Sequence, residues 1–325
     1  MQQPSSQFLE SPCSLWCSHH SMGDKNPSLS LSQTPPLTQV IHRKLLFITG
    51  KGGVGKTAVS LALAKTVSEQ GLRVLWVTFE DPNRPAGEIK KLSPTLSELN
   101  CDAGRAFEEY AGLKIGISKL AHIFVGNKLM QYLSKAAPGI HELVLLGKIW
   151  HERQNYDRLI IDMPSTGYGL AMFQSTRNFA RLFRGGPIHK DAEAMLETFG
   201  DPHESGYVIV SLPEETPLGE SLDLARFLSE LFPKNLPAFI VNRMFPQVSG
   251  LEGKKRNPMS WPNPLAADIT EYITRRISLE DHNMRLWRDD HIAFSSLDYI
   301  PPPLSESLDP IVDSLARQIK TRGYA

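Results

Sequence analysis

The feature that most constrains this chain is the segment GKGGVGKT, residues 50–57, which directly follows the apolar run KLLFIT. It matches the pattern G-x-x-x-x-G-K-[ST], whose backbone N–H groups surround phosphate at the start of a helix. The apolar run predicts a strand buried on both faces, and residues 57–70 have a helical pattern. The motif therefore stands between a strand and a helix, as its chemistry requires, and predicts a nucleotide-binding loop.

Each residue type in this loop has a chemical reason to be there. The glycines allow backbone amides to turn inward around the phosphates. Lys56 is expected to neutralise the β- and γ-phosphate oxygens, and the Thr57 hydroxyl is expected to bind Mg²⁺. ATP and Mg²⁺ are therefore the expected cofactors. The predicted nucleotide-binding residues of the loop are Gly50, Lys51, Gly52, Gly53, Val54, Gly55, Lys56, Thr57 and Ala58.

Lys51 is a second lysine, which an ordinary phosphate loop does not need. Its place early in the loop predicts a side chain that points away from the phosphates of its own subunit. A fixed positive charge helps phosphoryl transfer where negative charge develops, between the β- and γ-groups. A twofold-related copy of the chain would present Lys51 there, as an arginine finger does. We therefore predict that Lys51 is catalytic in trans, within a homodimer that encloses the nucleotides.

Two aspartates are predicted to lie at the same edge of the sheet as the loop. Asp162 ends the apolar run RLIID, and Asp81 follows the run RVLWVTF in the segment FEDP. A lone aspartate at a strand end is more often a turn residue, but two of them beside a phosphate loop favour function. We expect Asp162 to support Mg²⁺ together with Thr57. We expect Asp81 to orient or deprotonate the attacking water.

Strand and helix patterns alternate beyond the loop, which predicts a doubly wound, mostly parallel α/β sheet of the P-loop NTPase type. The predicted strands are residues 44–49, 73–79, 158–162, 207–212, 238–242 and 292–297, and the main predicted helices are residues 57–70, 213–232 and 268–287.

The sequence divides into a leader and one large domain. Residues 1–40 are rich in Ser, Pro, Gln and His and are expected to be disordered. Residues 41–325 form the expected ATPase domain. Helical patterns at residues 103–110, 117–135 and 139–153 predict a helical subdomain inserted at about residues 95–155, on the carboxyl edge of the sheet. Extra helices packed on the flank of the sheet are the alternative.

Composition argues against several partners. Lys plus Arg and Asp plus Glu both number 35, so no basic excess indicates nucleic acid, and none is expected. No segment approaches the ~20 apolar residues of a transmembrane helix, and none is expected. Cys13 and Cys17 in the leader lie near two histidines, a spacing that we interpret as chance rather than as a zinc site. We expect a cytoplasmic protein.

The loop KGGVGKT resembles the deviant phosphate loop of a class of dimeric P-loop ATPases. That class includes the ArsA arsenite-pump ATPase, the tail-anchored-protein targeting ATPase, MinD, ParA and the nitrogenase iron protein. In this class the early lysine reaches across a dimer that encloses the nucleotides. The resemblance therefore implies the same trans role for Lys51.

Further motifs resemble the ArsA and tail-anchored-targeting branch in particular. FEDPNRP is similar to its switch I, with Asp81 at the position of the water-activating aspartate. DRLIIDMPSTGYGLAM is similar to its switch II, and SLPEETPLGESLDL and IPPPLSES are similar to later loops. IVNRMFP is similar to the strand end that contacts adenine, which implies that Asn242 and Arg243 bind the base.

Several positions depart from that branch. Asn83, Arg84 and Pro85 replace the usual residues of switch I, and Tyr168 stands where switch II has histidine. The segment at residues 250–264 has no cysteine, so the zinc site of the eukaryotic targeting dimer is not expected. The segments that form the client groove in that branch look shortened. Coupling of hydrolysis to opening is expected to differ accordingly.

Rival functions of the same class can be weighed by their chemistry. Arsenite and iron–sulfur sites need several thiolates, and only Cys101 lies beyond the leader. The C-terminal pattern with Ile311, Leu315 and Ile319 on one face would suit a MinD-like membrane helix, but packing on the core is favoured. The basic runs GKKR and TRR are interpreted as solvated faces rather than as DNA contacts.

The sequence thus predicts an Mg²⁺-dependent ATPase, a homodimer whose nucleotide state acts on a protein client or a membrane-associated partner. The alternative is a nucleotide-gated binding or positioning module with little turnover.

Overall fold

The computed structural model describes residues 33–115, 139–182, 185, 187–245, 264–302 and 307–325. In this part of the chain, one 8-stranded sheet has the order β3-β4-β2-β5-β1-β6-β7-β8. The strands are β1 Leu45–Thr49, β2 Val74–Phe79, β3 Ile89–Lys91, β4 Leu96–Cys101, β5 Arg158–Asp162, β6 Ser205–Ser211, β7 Ala238–Met244 and β8 Phe294–Asp298. The described helices are α1 Leu37–Val40, α2 Lys56–Ser68, α3 Ala103–Ile115, α4 Ile140–Glu152, α5 Thr166–Leu182, α6 Pro187–Gly200, α7 Glu215–Leu231, α8 Pro264–Asp289 and α9 Asp309–Thr321.

The sheet is parallel except at one edge, where β3 and β4 pair antiparallel. Strand β1 lies between β5 and β6 and is buried along its whole length. Its side chains alternate between the two faces, because Leu45 and Phe47 join one apolar cluster while Leu46 and Ile48 join another. A core therefore covers each face of the sheet, and the predicted doubly wound α/β fold is confirmed.

The last helix packs on the body of the domain. Helix α9 buries Val312, Leu315 and Ile319 in the cluster that also holds Leu63 of α2. Packing therefore explains the apolar face of this helix, as the sequence analysis favoured. No described helix is both long enough and apolar enough to cross a bilayer.

Strands β3 and β4 were not predicted from the sequence. The segment LSELNC of β4 contains polar residues that obscure a strand pattern, and it lies in the stretch assigned to the helical insertion. All its residues are buried, because Glu98 and Asn100 find polar partners in the segment that follows β2. The first helix after β2 is therefore α3, which begins at Ala103. Of the predicted helical segments, residues 117–135 lie outside the described residues, and the division into subdomains stays a prediction.

The ordered domain begins earlier than residue 41. Leu37 and Val40 of α1 are only 1% and 0% exposed, and α1 packs against β6 and β7. The expected disorder therefore does not extend to residues 33–40. Residues 1–32, with Cys13 and Cys17, lie outside the described residues, as does the run GKKR.

The topology brings three segments to one edge of the sheet. Strands β1, β2 and β5 are parallel neighbours, and Ile48 of β1 is in register with Asp162 of β5. The loop that follows β1 and the segment that follows β2 therefore meet at the carboxyl ends of these strands, where ligands bind in open α/β sheets.

Candidate active site

The phosphate loop has a backbone that requires glycine at specific positions. Gly50, Gly53 and Gly55 have φ angles of 141°, 83° and 94°. A Cβ atom at Gly50 would lie 2.2 Å from the carbonyl oxygen of Val210, so β6 passes directly against the loop. This close approach and the positive φ angles explain why the loop is rich in glycine.

Lys56 is the lysine that faces the inside of the loop. Its Nζ donates a hydrogen bond to the carbonyl oxygen of Lys51, 2.9 Å away. Burial lowers the pKa of Lys56, and the nearby carboxylate of Asp162 counteracts part of that effect. The ammonium group is therefore partly desolvated and lies close to the backbone of the loop, while its contact with phosphate stays a prediction.

Thr57 and Asp162 form the part of the site that could hold a cation. The Thr57 hydroxyl donates to Oδ2 of Asp162 at 2.6 Å, and the other carboxylate oxygen, Oδ1, is buried without a hydrogen-bond partner in the described part of the chain. Burial raises the pKa of Asp162 to about 6, although Thr57 and Lys56 act in the opposite direction. A hydroxyl and a buried carboxylate oxygen are hard donors of the kind that Mg²⁺ prefers, so these residues fit the predicted metal.

A cavity of about 240 Å³ is lined by residues predicted to bind phosphate, to hold Mg²⁺ and to activate water. It extends from the phosphate loop to the ends of β2 and β5. Its lining comprises Lys56, Thr57, Thr78, Phe79, Asp81, Asp162, Met163, Pro164 and Ser165. The structure thus brings Asp81 and Asp162 together beside the loop, while the roles given to them stay predictions.

The carboxylate of Asp81 is fully engaged by its own segment. Oδ1 accepts hydrogen bonds from the backbone N–H of Asn83 at 2.9 Å and from its Nδ2 at 3.1 Å. Oδ2 accepts one from Arg84 Nε at 2.9 Å. The backbone bond from Asn83 is the main cause that lowers the pKa of Asp81, with Arg84 adding to it. In this conformation Asp81 is a weak base.

Arg84 is one of the switch I residues that depart from the family pattern, and its side chain contacts two neighbouring strands. Its guanidinium group bridges Asp81 and the side chain of Glu98 on β4. It also lies over the ring of Trp76, 4.6 Å from the centroid. The sequence shows that switch I carries an arginine at this position. It does not show that Glu98 on β4 and Trp76 on β2 are the partners of this arginine.

The side chain of Lys51 pairs with a neighbouring helix, and its predicted role in a partner subunit stays a prediction. Its Nζ lies 2.7 Å from Oε1 of Glu220 on α7, and the two side chains are 43% and 46% exposed. Glu220 belongs to the motif that follows β6, but nothing in the sequence identified it as the partner of Lys51. The contact is an exposed ion pair within one chain, a type that is usually weak.

Asn242 and Arg243 both lie at the loop, but in different environments. Asn242 is buried, and its Nδ2 donates to the carbonyl oxygen of Val54 at 2.9 Å. Arg243 is exposed and has a positive φ of 58°. Asn242 therefore braces the phosphate loop, and the predicted contacts of both residues with the base stay predictions.

A second ion pair connects the switch I segment to the neighbouring helices. His141 Nε2 on α4 lies 2.9 Å from Oε1 of Glu80, which has a positive φ of 47°. The bond to His141 is the main cause that lowers the pKa of Glu80, and the same bond raises the pKa of His141. Tyr168 of switch II lies near the Glu80 carboxylate, and burial raises the pKa of this tyrosine.

Helix α4 also borders an apolar cavity of about 340 Å³ between α3, α4 and α6. Its walls include Phe107, Leu143, Val144 and Met195. At its rim the Tyr110 hydroxyl donates to Asp191 Oδ2 at 3.0 Å. Helix α4 thus lines the apolar cavity, and its residue His141 also contacts the segment beside the phosphate site.

Comparison with known proteins shows a family resemblance. A sequence model described as "Anion-transporting ATPase" matches residues 43–185, which contain the phosphate loop, Asp81 and Asp162. Over these residues the chain is similar to the ArsA-like ATPase family. The predicted resemblance is therefore confirmed.

Individual relatives agree with this similarity. It is 29% identical over 229 residues to ATPase BagA of Mycobacterium tuberculosis (strain H37Rv), which covers 62% of this chain and 66% of that protein. It is 26% identical over 320 residues to the arsenical pump-driving ATPase of Escherichia coli, which covers 84% of this chain and 54% of that protein. It is 24% identical over 272 residues to the ATPase ASNA1 homolog of Entamoeba dispar, which covers 67% of this chain and 82% of that protein. The chain thus spans less than two thirds of the mycobacterial relative and about half of the bacterial pump protein.

Proposed function

We propose that this chain is a cytoplasmic Mg²⁺-dependent ATPase that works as a homodimer with the nucleotides at its interface. The observation that carries the proposal is the Thr57–Asp162 pair beside the phosphate loop, with a buried carboxylate oxygen that has no hydrogen-bond partner among the described residues. The relatives named as ATPases support the same activity.

The phosphate end of the site follows from three side chains. Lys56 exchanges its bond to the Lys51 carbonyl for oxygens of the β- and γ-phosphates. Thr57 and Asp162 hold Mg²⁺, which neutralises charge on the phosphates when it is bound. Because a cation favours the ionised carboxylate, binding lowers the raised pKa of Asp162.

Asp81 is the residue that handles the attacking water. It lines the cavity that Lys56 and Asp162 also line, so a water molecule beside it would face the γ-phosphate. In the present conformation its oxygens are engaged by Asn83 and Arg84. Release of one of these oxygens is therefore part of the proposed catalytic cycle.

Lys51 supplies charge to the nucleotide of the other subunit. Its side chain is well exposed and turned away from its own loop, which supports delivery to a partner. Since the ion pair with Glu220 is exposed, it is weak enough for a phosphate oxygen to displace. The transferred phosphoryl group then receives a cation from each subunit.

The proposed output is a change at the apolar cavity between α3, α4 and α6, which would act on an apolar segment of a protein client or membrane-associated partner. The Glu80–His141 pair supports this coupling, because it connects the residue before Asp81 to α4. Arsenite is not proposed as cargo. It prefers several thiolates, whereas Cys101 is buried and burial raises its pKa.

The activity is tested by steady-state phosphate release from ATP. We expect Mg²⁺-dependent turnover in the wild type and a loss of about a hundredfold in Lys56→Ala. Lys65→Ala is the matched control, because Lys65 lies on the same helix but pairs with Asp313. Absence of turnover in the wild type, or equal turnover in Lys56→Ala, would contradict the proposal.

The second candidate is a nucleotide-gated binding module with little turnover. The engagement of both Asp81 oxygens by Asn83 and Arg84 favours it, because such a carboxylate is a weak base. The two functions differ in one measurement: the module binds Mg²⁺–ATP tightly and releases no phosphate above the rate of Asp81→Asn.

A further inference from the structure

Arg84 is the residue in switch I whose contacts the proposed ATPase cycle does not use. We infer that Arg84 senses the γ-phosphate: in the triphosphate-bound state its guanidinium leaves Asp81 and Glu98 for a γ-phosphate oxygen, and this movement frees Asp81 to accept a proton. The inference rests on the proposed function and identifies the residue that distinguishes ATP from ADP.

The Arg84 guanidinium lies next to the residue proposed to activate water. Arg84 Nε lies 2.9 Å from Asp81 Oδ2, and Asp81 lines the cavity shared with Lys56 and Thr57. The arginine therefore contacts a residue that lines the space where the terminal phosphate would lie. A guanidinium binds phosphate with two parallel hydrogen bonds, which a single carboxylate oxygen does not match.

The Arg84 side chain can move while the backbone of its turn stays in place. Asn100 Nδ2 donates to the carbonyl oxygens of Asp81 at 2.9 Å and Arg84 at 3.1 Å. Asn100 Oδ1 accepts from the Asp81 N–H at 3.0 Å. Because Asn100 is buried on β4, this turn is anchored to the sheet through its backbone. Only side-chain torsions of Arg84 need to change.

Contacts with Glu98 and Trp76 hold the Arg84 side chain in its present position. Glu98 is 7% exposed and pairs with Arg84, so departure of the arginine leaves a buried carboxylate without its cation. The ring of Trp76 adds a further cation–π contact. A weak anion does not displace such an arginine, whereas a γ-phosphate with its charge and several oxygens does. ADP lacks this group and leaves Arg84 where it is.

Movement of the Arg84 side chain changes the chemistry that Asp81 can perform. Once Arg84 has left, Asp81 loses a cationic donor and becomes more basic. It then accepts a proton from the attacking water. The water oxygen forms a bond to the γ-phosphorus while the bond from that phosphorus to the β–γ bridging oxygen breaks. The electron pair stays on the β-phosphate of ADP, and the proton passes from Asp81 to inorganic phosphate or solvent.

The test compares binding of Mg²⁺–ATPγS and Mg²⁺–ADP by calorimetry. We expect Arg84→Ala to weaken ATPγS about tenfold or more and to leave ADP unchanged, because a charge-assisted bond to the γ-phosphate is lost. Arg84→Lys should recover part of the preference. Glu98→Gln should move the ratio in the opposite direction, since it weakens the competing partner of Arg84.

Two controls make the result decisive. Arg73→Ala removes another arginine of an ion pair, with Asp157, at the beginning of β2, and should leave both affinities unchanged. If the wild type binds neither nucleotide, the proposed function fails. If the wild type binds and hydrolyses ATP but Arg84→Ala keeps its ratio of affinities, or loses both affinities equally, only the inference about Arg84 is overturned.

Discussion

Lys51 Nζ lies 2.7 Å from Glu220 Oε1 of the same chain, so the lysine proposed to act in a partner subunit is paired within its own. Both side chains are about half exposed, and such pairs typically contribute about 0.2–1 kcal/mol. Phosphate oxygens of a bound nucleotide can therefore compete with Glu220 for Lys51. In the proposed dimer, the pair would oppose the transfer of Lys51 to the partner's nucleotide without preventing it.

Removing the carboxylate should make dimer formation easier. We predict that Glu220→Gln lowers the protein concentration needed for dimerisation with Mg²⁺–ADP·AlF₄⁻ by about two- to fivefold, because each Lys51 no longer leaves an ion pair. Analytical ultracentrifugation measures this directly. Asp223→Asn is the control, since it removes an exposed pair with Arg226 on the same helix. A weaker dimer in Glu220→Gln would show that Glu220 assists the interface.

The two glycines Gly50 and Gly52 should respond differently to alanine. Gly50→Ala places a methyl group 2.2 Å from the Val210 oxygen, at a φ angle of 141°, and should lower the free energy of unfolding by about 2–4 kcal/mol. A Cβ at Gly52 meets no atom within 4 Å, so Gly52→Ala should stay within about 0.5 kcal/mol of the wild type. Urea unfolding without nucleotide measures both. Equal effects would contradict the loop geometry.

Asp162 should destabilise the nucleotide-free protein at neutral pH. Its pKa is raised to about 6 in the folded state, above the usual 3.8, so the folded protein retains a proton that the unfolded chain loses. Stability from this group is therefore present at low pH and lost as pH rises from about 4 to 6. We predict that Asp162→Asn raises the free energy of unfolding by about 1–3 kcal/mol at pH 7.5 without Mg²⁺.

The pH dependence separates this effect from a general gain in packing. The advantage of Asp162→Asn should disappear near pH 4, and thermal unfolding across this range measures it. Asp157→Asn is the control of opposite sign, because Arg73 lowers the pKa of Asp157 to about 2. That carboxylate stabilises the fold above about pH 4, so its replacement should be unfavourable at pH 7.5. An Asp162→Asn variant less stable than the wild type at pH 7.5 would contradict the account.

The Glu80–His141 pair should couple switch I to α4 only within a pH window. The pKa of Glu80 is lowered and that of His141 is raised, so both are charged between those two values. The histidine contribution is complete below its unfolded pKa and is lost as pH rises through the folded one. A double-mutant cycle with Glu80→Gln and His141→Gln should give about 0.5 kcal/mol of coupling at pH 6 and none at pH 9.

A lysine pair provides the control for this cycle. The Lys65–Asp313 pair contains no histidine, so its coupling should be equal at pH 6 and pH 9. Chemical unfolding of the four variants gives each coupling energy. A Glu80–His141 coupling that persists at pH 9 would show that packing, rather than charge, connects switch I to α4.

The sequence predicted the parts of the molecule that depend on local pattern. The phosphate loop, β1, β5 and Asp162 are local because an apolar run, a glycine-rich turn and a helix follow one another along the chain. Strand β4 was missed because its buried polar residues carry partners that only the folded chain supplies.

The unpredicted contacts of the site are long-range for the same reason. Arg84 was visible as a departure from the family pattern, but its position between Asp81 and Glu98 depends on β4 lying beside β2. Glu220 meets Lys51 because β6 lies beside β1, which brings the beginning of α7 to the loop. Pairings of this kind follow from topology and side-chain torsions, which no local pattern contains.

The central claim is that Lys51 acts in the nucleotide site of the partner subunit, and mixed dimers test it most directly. Lys51→Ala and Asp81→Asn are each expected to be inactive alone. In a mixed dimer, the Lys51→Ala subunit keeps Asp81 and receives Lys51 from its partner, so one of its two sites is intact. Co-expression with two affinity tags should therefore restore about a quarter of wild-type phosphate release for randomly assembled subunits. If mixing restores nothing while the tags confirm mixed dimers, Lys51 acts within its own subunit and the account is wrong.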